Sequence, residues 1–207
     1  MSASAQFSMN SMNATNSINS LLDNFRDTNA LLEGHFILSS GLHSSQYLQC
    51  AKAIEHPNAA AEYGCAIAAE LSAETFDTVA SPAIGGLIIG FATAQALGVR
   101  FIWTERENGV MTLRRGFTVK PGERILVVED VITTGGSTRE CIEALEKHGA
   151  KVTAAASIID RSGGTADVGV PRVSLVTLEV PVYKPEDCPM CARGETALKP
   201  GSRTAPK

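Results

Sequence analysis

The sequence has no run of eighteen consecutive apolar residues, the length needed for a helix to span a membrane. Its first sixteen residues are rich in Ser, Asn, Met and Ala and do not have the basic-then-apolar order of a secretory signal. It has no excess of positive charge: 18 Lys and Arg stand against 22 Asp and Glu, a formal net charge of -4. General nucleic-acid binding, which needs a basic face, is therefore not expected, and any anionic substrate must be met by local cations. Cysteine is scarce and odd in number, with five residues. Cys50, Cys65 and Cys141 lie inside apolar periodic segments and read as reduced thiols, so a cytoplasmic location is expected, with no membrane partner.

The exception is CPMC at residues 188–191, which could be half a zinc site or a redox pair. A structural zinc site needs four ligands, and the surrounding sequence has neither a second CxxC nor a His. The expectation is two free thiols in a surface turn, with any metal needing a partner chain.

At 207 residues and 44% hydrophobic content, the chain can bury one sizeable core. Residues 1–16 read as a disordered extension, 17–193 as one domain (a small hood mainly over 17–56 and a core mainly over 57–180), and 194–207 as a flexible tail. Helical spacing from Ile18 to Leu32 precedes Gly34, where a helix would stop. Residues 36–38 and 46–50 read as two strands of a hairpin-like flap. Pro57 opens an alanine-rich helix to about Leu71. Strands are expected at 76–80, 100–104, 125–128, 152–159 and 174–178. Helices are expected at 87–97, closed by Gly98, and from Ser137 to Gly149. Strands alternating with helices imply a mostly parallel sheet. No internal repeat appears.

The most informative stretch is ILVVEDVITTGGST at residues 125–138. An apolar strand carries Glu129 and Asp130 to its carboxyl end, the edge of an open parallel sheet where ligands bind. Thr133, Thr134, Gly135, Gly136, Ser137 and Thr138 then offer amides and hydroxyls at a helix start, where a phosphate is favoured. No Gly-Lys-Ser/Thr follows, which separates it from a Walker A loop, and acids rather than glycines follow the strand, unlike a dinucleotide fingerprint.

This stretch resembles the phosphoribosyl-pyrophosphate (PRPP) motif of the type I phosphoribosyltransferases. Three further segments resemble the orotate-specific members: GHFILSSGLHSSQY (34–47), SPAIGG (81–86) and IDRSGG (159–164). The resemblance implies an α/β type I phosphoribosyltransferase fold, a mostly parallel five-stranded sheet flanked by helices with a small N-terminal hood. It also implies transfer of ribose 5-phosphate from PRPP to orotate, giving orotidine 5′-phosphate and pyrophosphate in pyrimidine biosynthesis. Mg²⁺ would be held mainly by PRPP, with no protein side chain expected as ligand.

The resemblance makes Glu129, Asp130 and Arg106 the catalytic residues. Those residues, together with Val131, Ile132, Thr133, Thr134, Gly135, Gly136 and Ser137, would bind PRPP. Thr133 and Arg161 would hold orotate, a guanidinium being suited to planar pairing with its carboxylate. Ala83, Ile84 and Gly85 would form the pyrophosphate turn. In relatives the unit is a homodimer whose mobile loop closes over the neighbour's site, and residues 105–118, with Arg106, Arg114 and Arg115, are the matching segment here.

The pattern departs from many relatives in two places. The turn lacks a lysine after its Pro-Ala pair, and only Arg106 matches a loop cation comfortably. His35 and His43 lie in the flap, where His43 could lend a phosphate donor; His56 and His148 flank helices. A purine-specific enzyme and a non-catalytic PRPP-sensing regulator are the alternatives. Arg161 and the flap weigh against the first, and the absence of a basic helix-turn-helix against the second.

Overall fold

The structure, a computed structural model, describes residues 21, 23–38 and 40–200. The expected extension at 1–16 lies outside the described residues, as does the tail beyond 200. The chain divides into two compact units, one holding residues up to Ala53 and those from Val180, the other Ile54–Glu179.

The larger unit is built on a six-stranded sheet in the order β5-β4-β3-β6-β7-β8. Its strands are β3 (Thr78–Pro82), β4 (Arg100–Glu107), β5 (Val110–Leu113), β6 (Arg124–Ile132), β7 (Lys151–Asp160) and β8 (Arg172–Thr177). The five expected parallel strands are present, β4-β3-β6-β7-β8. A sixth, β5, runs antiparallel on the edge. Ile125, Leu126, Val127 and Val128 of β6 are all fully buried. Consecutive strand residues point to opposite faces, so both faces of the central strand are covered, which explains its unbroken apolar run.

Helix α2 (Pro57–Glu70) starts at Pro57 and α3 (Leu87–Leu97) ends at Gly98, which takes a left-handed φ of 68°. The two helices meet at Gly64, where a Cβ would lie 2.6 Å from the Ala92 carbonyl carbon. Helix α4 (Gly136–Glu146) packs on β3, β5, β6 and β7. Its Cys141, Ile142 and Leu145 join Ile125, Val127 and Val152 in the core.

At the amino ends of the strands, Glu123 accepts from Thr78 (2.5 Å) and from the amide of Lys120 (2.7 Å), and pairs with Arg100 (3.0 Å). Burial pushes the Glu123 carboxyl up, but these bonds outweigh it and hold the carboxyl below its ordinary value.

The smaller unit contains a three-stranded sheet, β1 (Leu31–Ile37), β2 (His43–Leu48) and β9 (Val182–Tyr183), in that order. The flap hairpin is there, but its strands begin earlier than the periodicity predicts, and Cys50 opens a short helix, α1 (Cys50–Ala53), instead of ending a strand. The first helix does not reach Gly34. It gives way to a turn at Thr28 and Asn29, where Asn29 has a φ of 55° and the Thr28 hydroxyl donates to the Asn24 carbonyl. Gly34 lies inside β1, next to a register shift between Glu33 and Phe36 that marks a bulge.

The expected flexible tail is in part fixed. Leu198 bonds its amide to the His35 carbonyl (2.8 Å), and its carbonyl accepts from Ile37 (2.7 Å). The CPMC segment differs from expectation too: Cys188 is buried, and Cys191 begins no free surface turn but lies 3.3 Å from His43 Nδ1.

Candidate active site

Strand β6 carries Glu129 and Asp130 past its apolar run, and the strand continues through Val131 and Ile132, four residues further than predicted. Beside it, β3 ends in the turn Ala83-Ile84-Gly85-Gly86. This turn is anchored by the Ala83 amide on the Thr104 carbonyl (2.7 Å), and its Ala83–Ile84 peptide is cis. Because β3 and β6 are neighbours, the turn lies directly against the acids. A Cβ on Gly85 would sit 2.8 Å from Asp130 Oδ1, and one on Gly86 3.1 Å from Glu129 Oε2. Only glycine permits this approach.

The acid pair is electrostatically unusual. Burial, and then the charge of Asp130, push the Glu129 carboxyl up to about 9. Its Oε2 is buried without a hydrogen-bond partner, as is Ser81 Oγ at the end of β3. Burial also raises Asp130, partly offset by the Val131 amide, which donates to its Oδ1 at 2.8 Å. The orphaned Glu129 Oε2, beside the glycine turn, marks a place prepared for a polar group from outside the chain, whereas Ser81 Oγ lies against Gly90 of α3. Cys141 of α4 lies near Glu129 and Thr104, and burial pushes its thiol up to about 12, which makes it an inert wall.

The loop after β6 is held tightly. Gly135 caps α4 with a φ of 74°, and its α-carbon has no room for a side chain, since a Cβ would lie 2.8 Å from Val168 Cγ1. Arg139 donates to the carbonyls of Thr134 (3.1 Å) and Asp167. Thr134 and Ser137 are exposed and Thr133 is half-buried, so the hydroxyls and the first amides of an eleven-residue helix face outward together. Ile132 is 1% exposed and belongs to the core, so of the expected PRPP-contacting residues it can offer only its backbone.

One strand over, Asp160 at the end of β7 is fully buried and accepts from the Ser162 amide (2.7 Å) and hydroxyl (2.6 Å), the Gly164 amide (3.0 Å) and Arg172 (2.8 Å). Burial pushes its carboxyl up, but the Ser162 and Arg172 contacts win and hold it low. Asp160 thus organises the turn that carries Arg161, and the Arg161 amide bonds the Ile132 carbonyl at 2.8 Å. Arg161 and Thr133, expected to act together, are adjacent across two strands. Arg172, the partner that completes Asp160, escaped the sequence reading because it lies before the predicted start of β8.

The segment 105–118 is not a plain loop. Strand β4 runs on to Glu107, turns at Asn108 (φ 51°) and Gly109 (φ 85°), and returns as β5. Asn-Gly between strands is a strong hairpin signal, and it stood in the sequence unread. Met111 anchors the return strand by burial. On this hairpin Arg106 pairs with Glu140 of α4 (2.5 Å), Arg114 with Glu107 (3.1 Å) and Arg115 with Glu105 (2.6 Å). The structure therefore brings the acids, the glycine turn, the helix start and the Arg161 turn to one sheet edge, while the three hairpin arginines rest on carboxylates.

The profile described as "Phosphoribosyl transferase domain" matches residues 51–184. The orotate phosphoribosyltransferase of Thermotoga maritima is 57% identical over 180 residues, covering 85% of this chain and 94% of the relative. Among solved structures, the orotate phosphoribosyltransferase from Aeropyrum pernix matches with a TM-score of 0.61 and 29% identity, covering 75% of this chain and 92% of that one. That from Mycobacterium tuberculosis H37Rv in complex with PRPP gives a TM-score of 0.62 at 23% identity, over 78% and 96%, which supports the fold alone. With the acids, the glycine turn and the helix start converging as they do, the chain belongs to the phosphoribosyltransferase family and, within it, to the orotate phosphoribosyltransferases.

Proposed function

We infer that the chain transfers ribose 5-phosphate from PRPP to orotate, releasing pyrophosphate. The observation that carries this reading is the meeting of Glu129 and Asp130 with Gly85 and Gly86 at the edge where Thr133 and Arg161 also stand. In the reaction the bond from ribose C1′ to pyrophosphate breaks as the bond from C1′ to orotate N1 forms and the N1 proton is released to water, through a ring with oxocarbenium character.

Asp130 and Glu129 would bind the ribose hydroxyls. A protonated Glu129 donates to a hydroxyl, while negative charge on Asp130 favours the cationic ring. Thr133, Thr134 and Ser137, with the amides at the start of α4, would cradle the 5′-phosphate. The glycine turn would present its amides to pyrophosphate, and Arg161 would pair with the orotate carboxylate while Thr133 borders the ring.

PRPP's own oxygens are the hard donors that Mg²⁺ accepts, and negative charge on Asp130 suits a polyanion that arrives with its cation. Mg²⁺ bound with PRPP would neutralise charge on the leaving pyrophosphate.

The acting unit is taken as a homodimer. Ile84, Ile88 and Phe91 are large apolar residues exposed by 83%, 49% and 60% on the turn and on α3, a patch that a second copy would cover. Arg106, Arg114 and Arg115 would then serve the neighbour's pyrophosphate. No helix among the described residues is long and apolar enough to cross a membrane, and reduced thiols fit a cytoplasmic enzyme.

The test is a spectrophotometric assay with orotate, PRPP and Mg²⁺, run beside a panel of purine and pyrimidine bases for pyrophosphate release. Orotate should be consumed far faster than any other base. Turnover of a purine instead would refute the assignment of Arg161.

A further inference from the structure

We propose that His35, His43, Cys188 and Cys191 form a structural zinc site inside the smaller unit. Their ligand atoms all lie within 4.8 Å of one another. His35 and His43 come from the two strands of the flap hairpin, and Cys188 and Cys191 bracket the start of a four-residue helix, α5 (Pro189–Ala192). His35, His43 and Cys188 are 5%, 7% and 2% exposed.

The nitrogen-to-sulfur separations are those of a coordination shell. Zinc-nitrogen bonds near 2.0–2.1 Å and zinc-sulfur bonds near 2.3 Å give tetrahedral edges of about 3.6 Å between nitrogen and sulfur. The observed values are 3.5 Å for Cys188 Sγ to His35 Nε2, 3.7 Å for Cys191 Sγ to His35 Nε2 and 3.3 Å for Cys191 Sγ to His43 Nδ1. The two ring nitrogens stand closer, at 2.8 Å, against an ideal edge of about 3.4 Å. A small opening of the hairpin rings would seat the ion.

The proton on His35 is settled by its other side. His35 Nδ1 lies 2.9 Å from the Glu195 carbonyl, which can only accept, so Nδ1 carries the hydrogen and Nε2 presents a lone pair to the cluster. A backbone carbonyl behind a metal-binding imidazole is the usual outer contact that orients it. That carbonyl is itself fixed, because the Glu195 amide donates to Met190 (3.1 Å) and the neighbouring Leu198 bonds to β1. The bulge between Glu33 and Phe36 lets His35 and Phe36, consecutive residues, both turn inward.

Two sulfurs and two imidazole nitrogens in a closed set of four select zinc over harder cations and leave no open position for chemistry. The expectation that CPMC lacks a His and needs a partner chain is thereby corrected, since both histidines come from the same chain, 148 and 156 residues before Cys191. The ion would fasten β1, β2 and the segment 180–198 together in a unit whose third strand has only two residues, where a metal supplies what a small core cannot.

Full-length protein purified under reducing conditions without chelators should hold about one zinc per chain by mass spectrometric metal analysis. Co²⁺ loaded instead should show the visible bands of a tetrahedral ion with sulfur charge transfer. Cys188→Ser with Cys191→Ser should lose the zinc and lower Tm, while Cys65→Ser, which removes an exposed thiol in the other unit, should keep it. Since the double variant could misfold, the deciding measurement is on the wild type. Reduced wild-type protein that retains under about a tenth of an equivalent of zinc after incubation with Zn²⁺ and gel filtration overturns the proposal. Full zinc content in a folded double serine variant overturns it equally.

Discussion

Gly85 and Asp130 touch so closely that a single methyl group would not fit between them: a Cβ at residue 85 would stand 2.8 Å from Asp130 Oδ1 and 3.1 Å from its Cγ. The obstacle is the end of a side chain and can move. At Gly86 the obstacles are the Val128 carbonyl at 2.8 Å and Ser81 Cβ at 2.9 Å, and the first of these is backbone. Gly85→Ala should therefore keep the fold and push Asp130 aside, lowering kcat at least about tenfold with Tm nearly unchanged. Gly86→Ala should lower Tm. Paired melts and kinetics check both, and a Gly85→Ala enzyme of normal kcat would remove Asp130 from its assigned role.

Glu129 makes stability depend on pH in an unusual direction. Its folded-state value of about 9 lies above the unfolded one, near 4.3, so between those values the folded chain holds a proton that the unfolded chain has released. Stability is thus lost as pH rises through this window. Glu129→Gln should raise the Tm of the substrate-free protein by about 3 °C at pH 8.5, with the gain fading toward pH 5. Melts across pH test this, and a gain independent of pH would contradict it.

Arg172 and Asp160 form a buried pair, 13% and 1% exposed in their side chains. Arg172→Met should cost about 3 kcal/mol, measured by urea unfolding, because it leaves a buried carboxylate short of a partner. The depressed Asp160 carboxyl contributes stability that is present above its unfolded value and lost as pH falls through the folded one. Replacing Arg172 should move that loss to higher pH. As Asp160 sets the turn of Arg161, the orotate KM should rise more than the PRPP KM.

The proposed sharing of arginines between subunits can be counted. A chain with Arg106, Arg114 and Arg115 all changed to Ala, and a chain with Asp130→Asn, should each be nearly inactive. Mixed one to one with subunit exchange, half the dimers are hybrids with one intact site, so activity should return to about a quarter of wild type. No recovery, with hybrids seen by native mass spectrometry, would mean that each hairpin serves its own site or none.

The parts of this molecule legible in sequence are those set by local pattern. Ile125 to Val128 announce a central strand by being apolar without alternation, and Glu129, Asp130 and Thr133 to Ser137 keep their order along the chain, so folding only had to place them at a sheet edge. Gly85 and Gly86 were readable as a turn, but their contact with the acids depends on β3 pairing with β6, which no short window contains. The hairpin at Asn108-Gly109 was missed for a different reason: its strands are rich in Glu, Arg and Thr and looked like solvent-facing loop, although the turn dipeptide was explicit. His35 and His43 with Cys188 and Cys191 were beyond reach, because half the set lies on a flap and half near the other end of the chain, and the pairing of β2 with β9 and the bonds of Leu198 to β1 that join them are contained in no short window.

The ion pairs of Arg106, Arg114 and Arg115 also set a condition on what can recruit them. Each guanidinium already has a carboxylate partner in a partly exposed pair, and such pairs are weak. An arriving anion exchanges one partner for another and does not meet an unpaired cation. A singly charged anion gains little from that exchange, while pyrophosphate, with several charges on adjacent oxygens, can draw off more than one arginine together. On the proposed reading, the hairpin would therefore answer a polyphosphate more readily than chloride or a simple carboxylate.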